Sequence, residues 1–145
     1  MSAKRAFSPI QRHVHLGDDG LGLPIADPGA FWQDLMSGSP TTEAARRANS
    51  GGWLFSAMAF SSDEQWATWE MHPEGEEILF ATSGEFNVIL KRSLDDADAL
   101  DEFLLSTGEF CIVPRGVWHR MTVRTPGTIL FMTYGKGTEN EPIVA

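Results

Sequence analysis

Glu70, His72, Glu77 and His119 are the residues whose types and spacing can do chemistry. Glu70 and His72 stand two apart in an extended run, so their side chains leave the same face of one strand. Glu77 follows across Pro73-Glu74-Gly75 and opens a second apolar run, Ile78 to Ala81, that closes at Gly84. His119 comes three residues after the bend at Pro114 and Gly116. Imidazoles and carboxylates delivered by neighbouring strands into one interior make a ligand set for a first-row divalent metal. His72, Glu77 and His119 alone form a two-histidine, one-carboxylate face, which suits iron and leaves positions open for a substrate or dioxygen. Glu70 has two readings. As a fourth ligand it adds a second carboxylate and shifts the preference toward manganese, with zinc and nickel also accommodated. Otherwise it orients a ligand or serves as a general base. Glu76 points away from the interior by strand parity and reads as a surface group.

The strands that must carry these residues have clear punctuation. Trp53 to Phe60 is an apolar run, Ser61-Ser62-Asp63 a turn, and Gln65 to His72 the strand of the first ligands. Phe86 to Leu90, Leu100 to Leu105, Phe110 to Val113, Val117 to Val123 and Thr128 to Tyr134 supply the others, and Gly135 to Ala145 reads as an extended tail. Trp66, Leu79, Phe86, Phe110, Ile112 and Met121 are the expected interior lining. Before the strands, Gln11 to Leu16 is one short β-like run and Gly17 to Pro28 a loop. Asp27 is a good N-cap with Pro28 in first helical position, which predicts a short helix over Gly29 to Met36. Thr41 or Thr42 caps a second short turn through Ala48, stopped by Gly51-Gly52. His13 and His15 form a second H-x-H pair, but no glutamate follows at ligand distance, so they read as polar residues of an arm or edge strand.

The two halves of the ligand set carry a resemblance. Residues Trp69 to Glu85 resemble the first motif of the cupin superfamily, G-x5-H-x-H-x(3,4)-E-x6-G, with His72, Glu77 and Gly84 at matching spacings. Residues Gly108 to His119 resemble the second motif, G-x5-P-x-G-x2-H-x3-N, through Gly108, Pro114, Gly116 and His119. Glu70 stands where the first motif has a histidine, and Val123 where the second has asparagine. The resemblance covers roughly residues 65–123. It implies an all-β fold: a single cupin-type jelly-roll (double-stranded β-helix) barrel, with an N-terminal arm and one or two short helices. The expected division is an arm with short helices over residues 1–50, packed on a barrel over residues 51–145, in one domain.

Composition bounds the partners. Eleven basic against twenty acidic residues leave a net charge of −9, which argues against nucleic acid or an anionic membrane as a partner. No apolar run approaches the ~20 residues that span a bilayer. The basic N-terminal MSAKRAFSPIQRH lacks the apolar middle of a signal peptide, and a single cysteine, Cys111, fits a reducing cytoplasm. Cys111 reads as a small core residue. Ala67, Trp69 and Met71 make the outer face of the ligand strand apolar, which predicts cover by the arm or by a second subunit in a homodimer.

Two functions follow from these residues. The favoured one is a small metal-dependent enzyme, dioxygenase- or isomerase-like, acting on a small oxygen-bearing organic molecule in a mostly apolar interior. The other is a binding or sensory module that holds a metal or metabolite without turnover. An empty barrel is disfavoured, because burying two histidines and a carboxylate without a partner is costly.

Overall fold

Residues 5–144 are described by a computed structural model; residues 1–4 of the basic N-terminal segment and Ala145 of the tail lie outside them. The described residues form eleven strands and two short α-helices. They are β1 (His13–Leu16), β2 (Gly22–Ile25), α1 (Pro28–Met36), α2 (Glu43–Ser50), β3 (Trp53–Phe60), β4 (Thr68–Met71), β5 (Glu77–Ala81), β6 (Glu85–Lys91), β7 (Asp101–Ser106), β8 (Phe110–Val113), β9 (Trp118–Thr125), β10 (Gly127–Thr133) and β11 (Glu139–Pro142). They build two antiparallel sheets. The first runs β2-β1-β3-β10-β5-β8 and the second β11-β4-β9-β6-β7. From β3 onward, successive strands change sheet at every connection except the β6–β7 hairpin, which is the wrapping of a jelly roll.

Alternation explains why each strand buries one face. In β5, Glu77, Leu79 and Ala81 are buried while Ile78 and Phe80 are only half so. In β6, Phe86, Val88 and Leu90 turn inward, and in β9 His119 and Met121 do. These inward sets meet between the sheets with Phe60, Trp66, Leu105, Val113 and Ile129 in one core. The core is continuous, so removing a large member such as Leu79 would leave a cavity costing about 2–5 kcal/mol.

The helices close one end of the sandwich. Asp27 accepts from the Ala30 amide and Thr42 from the Ala45 amide, so both helices are capped as their sequences predict. Asp34 of α1 then accepts from the hydroxyls and amides of Thr41 and Thr42, led by the Thr42 hydroxyl, which lowers its carboxyl to about 2. Phe31, Ala45 and Ala48 bury against Ile25 and Leu54 in a smaller second core beneath them. Among the described residues, no helix is long and apolar enough to cross a membrane.

Three expectations need correction. Part of the expected loop from Gly17 to Pro28 is strand β2; its Pro24 is tolerated because β2 is the sheet's edge. The polar tail forms β11, paired along β4 from Glu139↔Met71 to Pro142↔Thr68. Phe110 and Ile112 do not line the interior, being 66% and 57% exposed. In β8 it is Val113 that is buried, with Cys111 half-buried and packed against the core, because both pair across from the inward Glu77 and Leu79 of β5. Both faces of Phe-Cys-Ile-Val are apolar, so the segment itself offered no alternation to read.

Candidate metal centre

Four side chains converge from three elements and the turn between two of them. Glu70 comes from β4, and His72 lies just beyond its end. Glu77 opens β5 in the first sheet, and His119 lies on β9 in the second, directly paired with Glu70. The Gly116 amide donates to the His72 carbonyl at 2.9 Å, tying the bend before β9 to the ligand turn. One ligand atom from each of the four residues lies within 4.8 Å of every other. The structure thus brings together all four residues singled out by sequence spacing. His72, Glu77 and His119 are buried, whereas the Glu70 side chain keeps 29% of its surface exposed.

The hydrogen bonds fix how these groups face one another. Thr138 donates its hydroxyl to the Gly135 carbonyl at 2.8 Å, so its oxygen accepts from His72 Nδ1, also 2.8 Å away. His72 therefore carries its proton on Nδ1 and presents the lone pair of Nε2 to the cluster. That Nε2 stands 3.4 Å from Glu77 Oε2 and makes no hydrogen bond. His119 Nε2 lies 3.0 Å from Glu77 Oε1 and 3.7 Å from Glu70 Oε2. Thr133 of β10 donates its hydroxyl to Glu77 Oε2, holding that carboxylate from the other side.

Lone pairs thus outnumber protons at the centre of the cluster. Two carboxylates and two imidazole Nε2 atoms face one another, and the hydroxyl and Nδ1 donors hold them from outside. Such a set needs a cation, either a shared proton or a metal ion. The electrostatics say the same. Burial opposes the charge on Glu77, but the hydrogen bond with His119 and the nearness of both imidazoles outweigh it and hold the carboxyl well below its ordinary range. Burial likewise opposes protonation of His119, yet Glu77 and Glu70 beside it raise its pKa above the ordinary value. Glu70 is raised by burial first and then by the negative charge of Glu77, against smaller pulls from the two histidines. The donor set of imidazole nitrogen and carboxylate oxygen fits a divalent transition ion.

Cys111 is outside this set. Burial, and secondarily the charge of Glu77, raise its thiol to about 11 against a lowering hydrogen bond from the Leu79 backbone, so it is protonated and inert. His13 and His15 are buried on β1 and are not members of the cluster. Glu76 is exposed, as its parity requires. Thr133 and Thr138 were invisible to sequence reasoning. Neither belongs to a spaced motif, and each reaches the site only because β10 and the tail fold beside β5 and β4.

A cavity of about 770 Å³ opens from the cluster, lined by Glu70, His72 and Glu77 at one end. Its walls are mostly apolar, with Phe60, Trp66 and Phe131 prominent. Trp66 stacks on Phe131 with ring centroids 5.8 Å apart and lies 6.1 Å from the His119 ring, so the aromatic wall adjoins the cluster.

Three distant structural likenesses accompany this geometry. Hydroquinone 1,2-dioxygenase from Sphingomonas sp. TTNP3, with 4-hydroxybenzoate bound, aligns at a TM-score of 0.49 and 14% identity over 59% of this chain and 60% of its own. A second hydroquinone 1,2-dioxygenase, in complex with Cd2+ and 4-hydroxybenzonitrile, aligns at 0.49 and 18%, over 59% of each chain. Hydroxypropylphosphonic acid epoxidase from S. wedmorenis aligns at 0.45 and 23%, over 61% of this chain and 46% of its own. This chain therefore spans less than two thirds of each of those proteins. No family model and no curated protein matches the sequence. The chemistry of the site rests on its own atoms.

A proton and a metal ion would compete for His119, which sets the pH dependence. A histidine raised above its unfolded value of about 6.5 stabilises the metal-free fold below that value, and this contribution is lost as pH rises through the raised pKa. Metal ligation needs neutral imidazoles, so the stability that a bound ion would add is full above the raised pKa of His119 and falls as pH drops through it. Glu77, being depressed, titrates below this window and does not blur it. Thermal unfolding of metal-loaded and chelator-treated protein should therefore differ most near pH ~8 and converge near pH ~5. A gap that is constant over that range would exclude histidine ligation.

Proposed function

We propose that the protein is a small metal-dependent enzyme, dioxygenase- or isomerase-like, acting on a small oxygen-bearing organic molecule. His72, Glu77 and His119 hold the divalent ion (iron, manganese, zinc or nickel by donor type) through the atoms that already converge. When bound, the ion supplies Lewis acidity toward an oxygen of the substrate. The observation that carries the reading is the asymmetry of the two carboxylates. Glu77 is buried and fixed by Thr133, whereas Glu70 is part-exposed and lies on the wall of the apolar cavity. Glu77 is thus a fixed ligand, and Glu70 is placed to take a proton from a substrate atom beside the ion and return it to a neighbouring one. Trp66 and Phe131 exclude water and give the body of the substrate an apolar surface.

The test measures metal per subunit and turnover together. His72→Ala, His119→Ala and Glu77→Gln should each weaken metal binding by at least ~10–100-fold, whereas Glu76→Gln and His13→Ala should leave it near wild type. Glu70→Gln should keep the ion and lose at least ~100-fold in turnover, followed as oxygen uptake by the iron form or isomer formation by the others. Full occupancy in His119→Ala would remove the site. Tight metal binding without turnover in any loading would replace the enzyme with a module that holds a metal or metabolite.

We also propose a homodimer, through a different face from the one that the ligand strand suggested. Trp69 on β4 is half-buried, with the Lys91 ammonium and the Arg120 guanidinium each 5.6 Å from its ring. The outer side of the first sheet carries an exposed apolar surface, where Phe80 and Phe110 pack at 4.6 Å beside the exposed Ile112. Light scattering at micromolar concentration should give twice the 16.0 kDa chain mass, and Phe110→Lys should halve it. A wild-type mass of 16.0 kDa would reject the dimer.

A further inference from the structure

The cavity that begins at the metal centre has a second polar end. Across the first sheet, His15 pairs with Leu54, Leu54 with Thr133, and Thr133 with Glu77. All four are buried, so they form one row on the inner surface of the sheet. Three strand spacings of ~4.8 Å place the His15 backbone about 14 Å from that of Glu77. The His15 ring lines the same cavity as Glu70, His72 and Glu77.

His15 differs from its neighbour His13 in what its ring lacks. Both nitrogens of His13 are partnered, Nδ1 with the Pro9 carbonyl at 2.9 Å and Nε2 with the Trp32 indole N–H at 3.0 Å. In His15, Nε2 lies 2.7 Å from the Gly51 carbonyl. A carbonyl only accepts, so Nε2 holds the proton and Nδ1 is left with a lone pair. That Nδ1 is buried and has no partner among the described residues. The ring's seat is built for it. Gly52 has φ +76°, and a Cβ there would stand 2.8 Å from His15 Nε2 and 2.5 Å from the Leu16 carbonyl oxygen.

Among the described residues, three buried side-chain atoms on residues of the cavity wall lack a partner: His72 Nε2, Trp66 Nε1 and His15 Nδ1. The first faces the metal centre. The other two are one donor and one acceptor, on a wall that is mostly apolar through side chains such as Leu54, Phe60 and Phe131 and also carries Ser56 and Thr68. Buried polar atoms are almost always satisfied in native structures, so these two point to a ligand.

We propose that His15 is a specificity-determining residue whose Nδ1 accepts a hydrogen bond from a hydroxyl at the far end of an apolar-bodied ligand, the near end carrying the oxygen held at the metal centre. The inference rests on the reading of the cluster as a metal site that binds a small molecule. It narrows the ligand class to elongated molecules bearing oxygen at both ends, with an apolar stretch between them.

Matched acids test it. Manganese-loaded protein is titrated calorimetrically with octanoate and ω-hydroxyoctanoate, and with their shorter and longer homologues. The hydroxy acid of matching length should bind about 3–10-fold tighter than its parent, the gain of one neutral hydrogen bond. His15→Phe should bring that ratio to one while metal per subunit stays at the wild-type value. In wild-type protein, the imidazole nitrogen spectrum should show the His15 Nδ1 resonance moving on addition of the hydroxy acid and not of the parent, a readout that needs no variant. Equal affinities in every pair, or a preference that survives His15→Phe, would overturn the assignment of His15 alone. Failure of all the acids to bind the metal-loaded protein would overturn both the assignment and the reading beneath it.

Discussion

The structure depends on one buried carboxylate. Glu77 is 2% exposed at the head of β5, between two imidazoles and a threonine hydroxyl. A carboxylate taken out of water must be compensated, and the penalty for leaving one uncompensated is several kcal/mol. Thr133 supplies one hydrogen bond. The remaining compensation is a proton on His119 Nε2, 3.0 Å from Oε1, or a metal ion, because His72 offers only a lone pair toward Glu77. A metal ion satisfies the carboxylate and both imidazoles at once, whereas a proton satisfies one pair at a time. The convergence is therefore functional in origin, since an apolar residue of similar size at Glu77 would suit the jelly-roll core better than an ion pair.

Much of the surrounding architecture serves to fix these few atoms. The β4–β9 pairing places Glu70 opposite His119, and the bond from Gly116 to His72 locks the turn at its side. Thr138 orients His72 from the tail, which is why β11 must lie along β4. The helices stand at the other end of the same cavity. Their small core of Phe31, Ala45, Ala48, Ile25 and Leu54 carries β1 and its histidines onto the inner surface of the first sheet. The cavity thus has a polar centre supported by rigid strands and an apolar body closed by helices, the combination expected of a small-molecule site.

The all-β jelly-roll class and most strand positions were legible in the sequence, because Gly84, Gly108 and the Pro114–Gly116 bend mark the turns and the strands between them alternate. The convergence of Glu70, His72, Glu77 and His119 was legible for the same reason. Glu70 and His72 share a face by parity, and Glu77 resumes the inward face after a short turn. Elements without such signals were not. In β8 both faces are apolar, so Phe110 and Ile112 looked like lining residues. β11 reads Glu-Asn-Glu-Pro and forms only because β4 offers an unpaired edge. Pro24 disguised β2. Thr133, Thr138 and the open nitrogen of His15 follow from tertiary pairing alone and leave no mark at fixed spacing. Trp69 is half-buried, with Lys91 of β6 and Arg120 of β9 over its ring, an arrangement that its spacing in the sequence does not mark.

Two imidazoles and the Glu77 carboxylate are proposed to hold a divalent ion. X-ray absorption at the edge of the bound metal reads that coordination shell directly. The account predicts a shell of nitrogen and oxygen at about 2.0–2.2 Å with the outer-shell scattering of two imidazole rings. A sulfur shell at about 2.3 Å, which only Cys111 or a methionine could provide, would contradict it. So would a pure oxygen shell with no imidazole scattering, which would move the ion from the cluster to surface carboxylates.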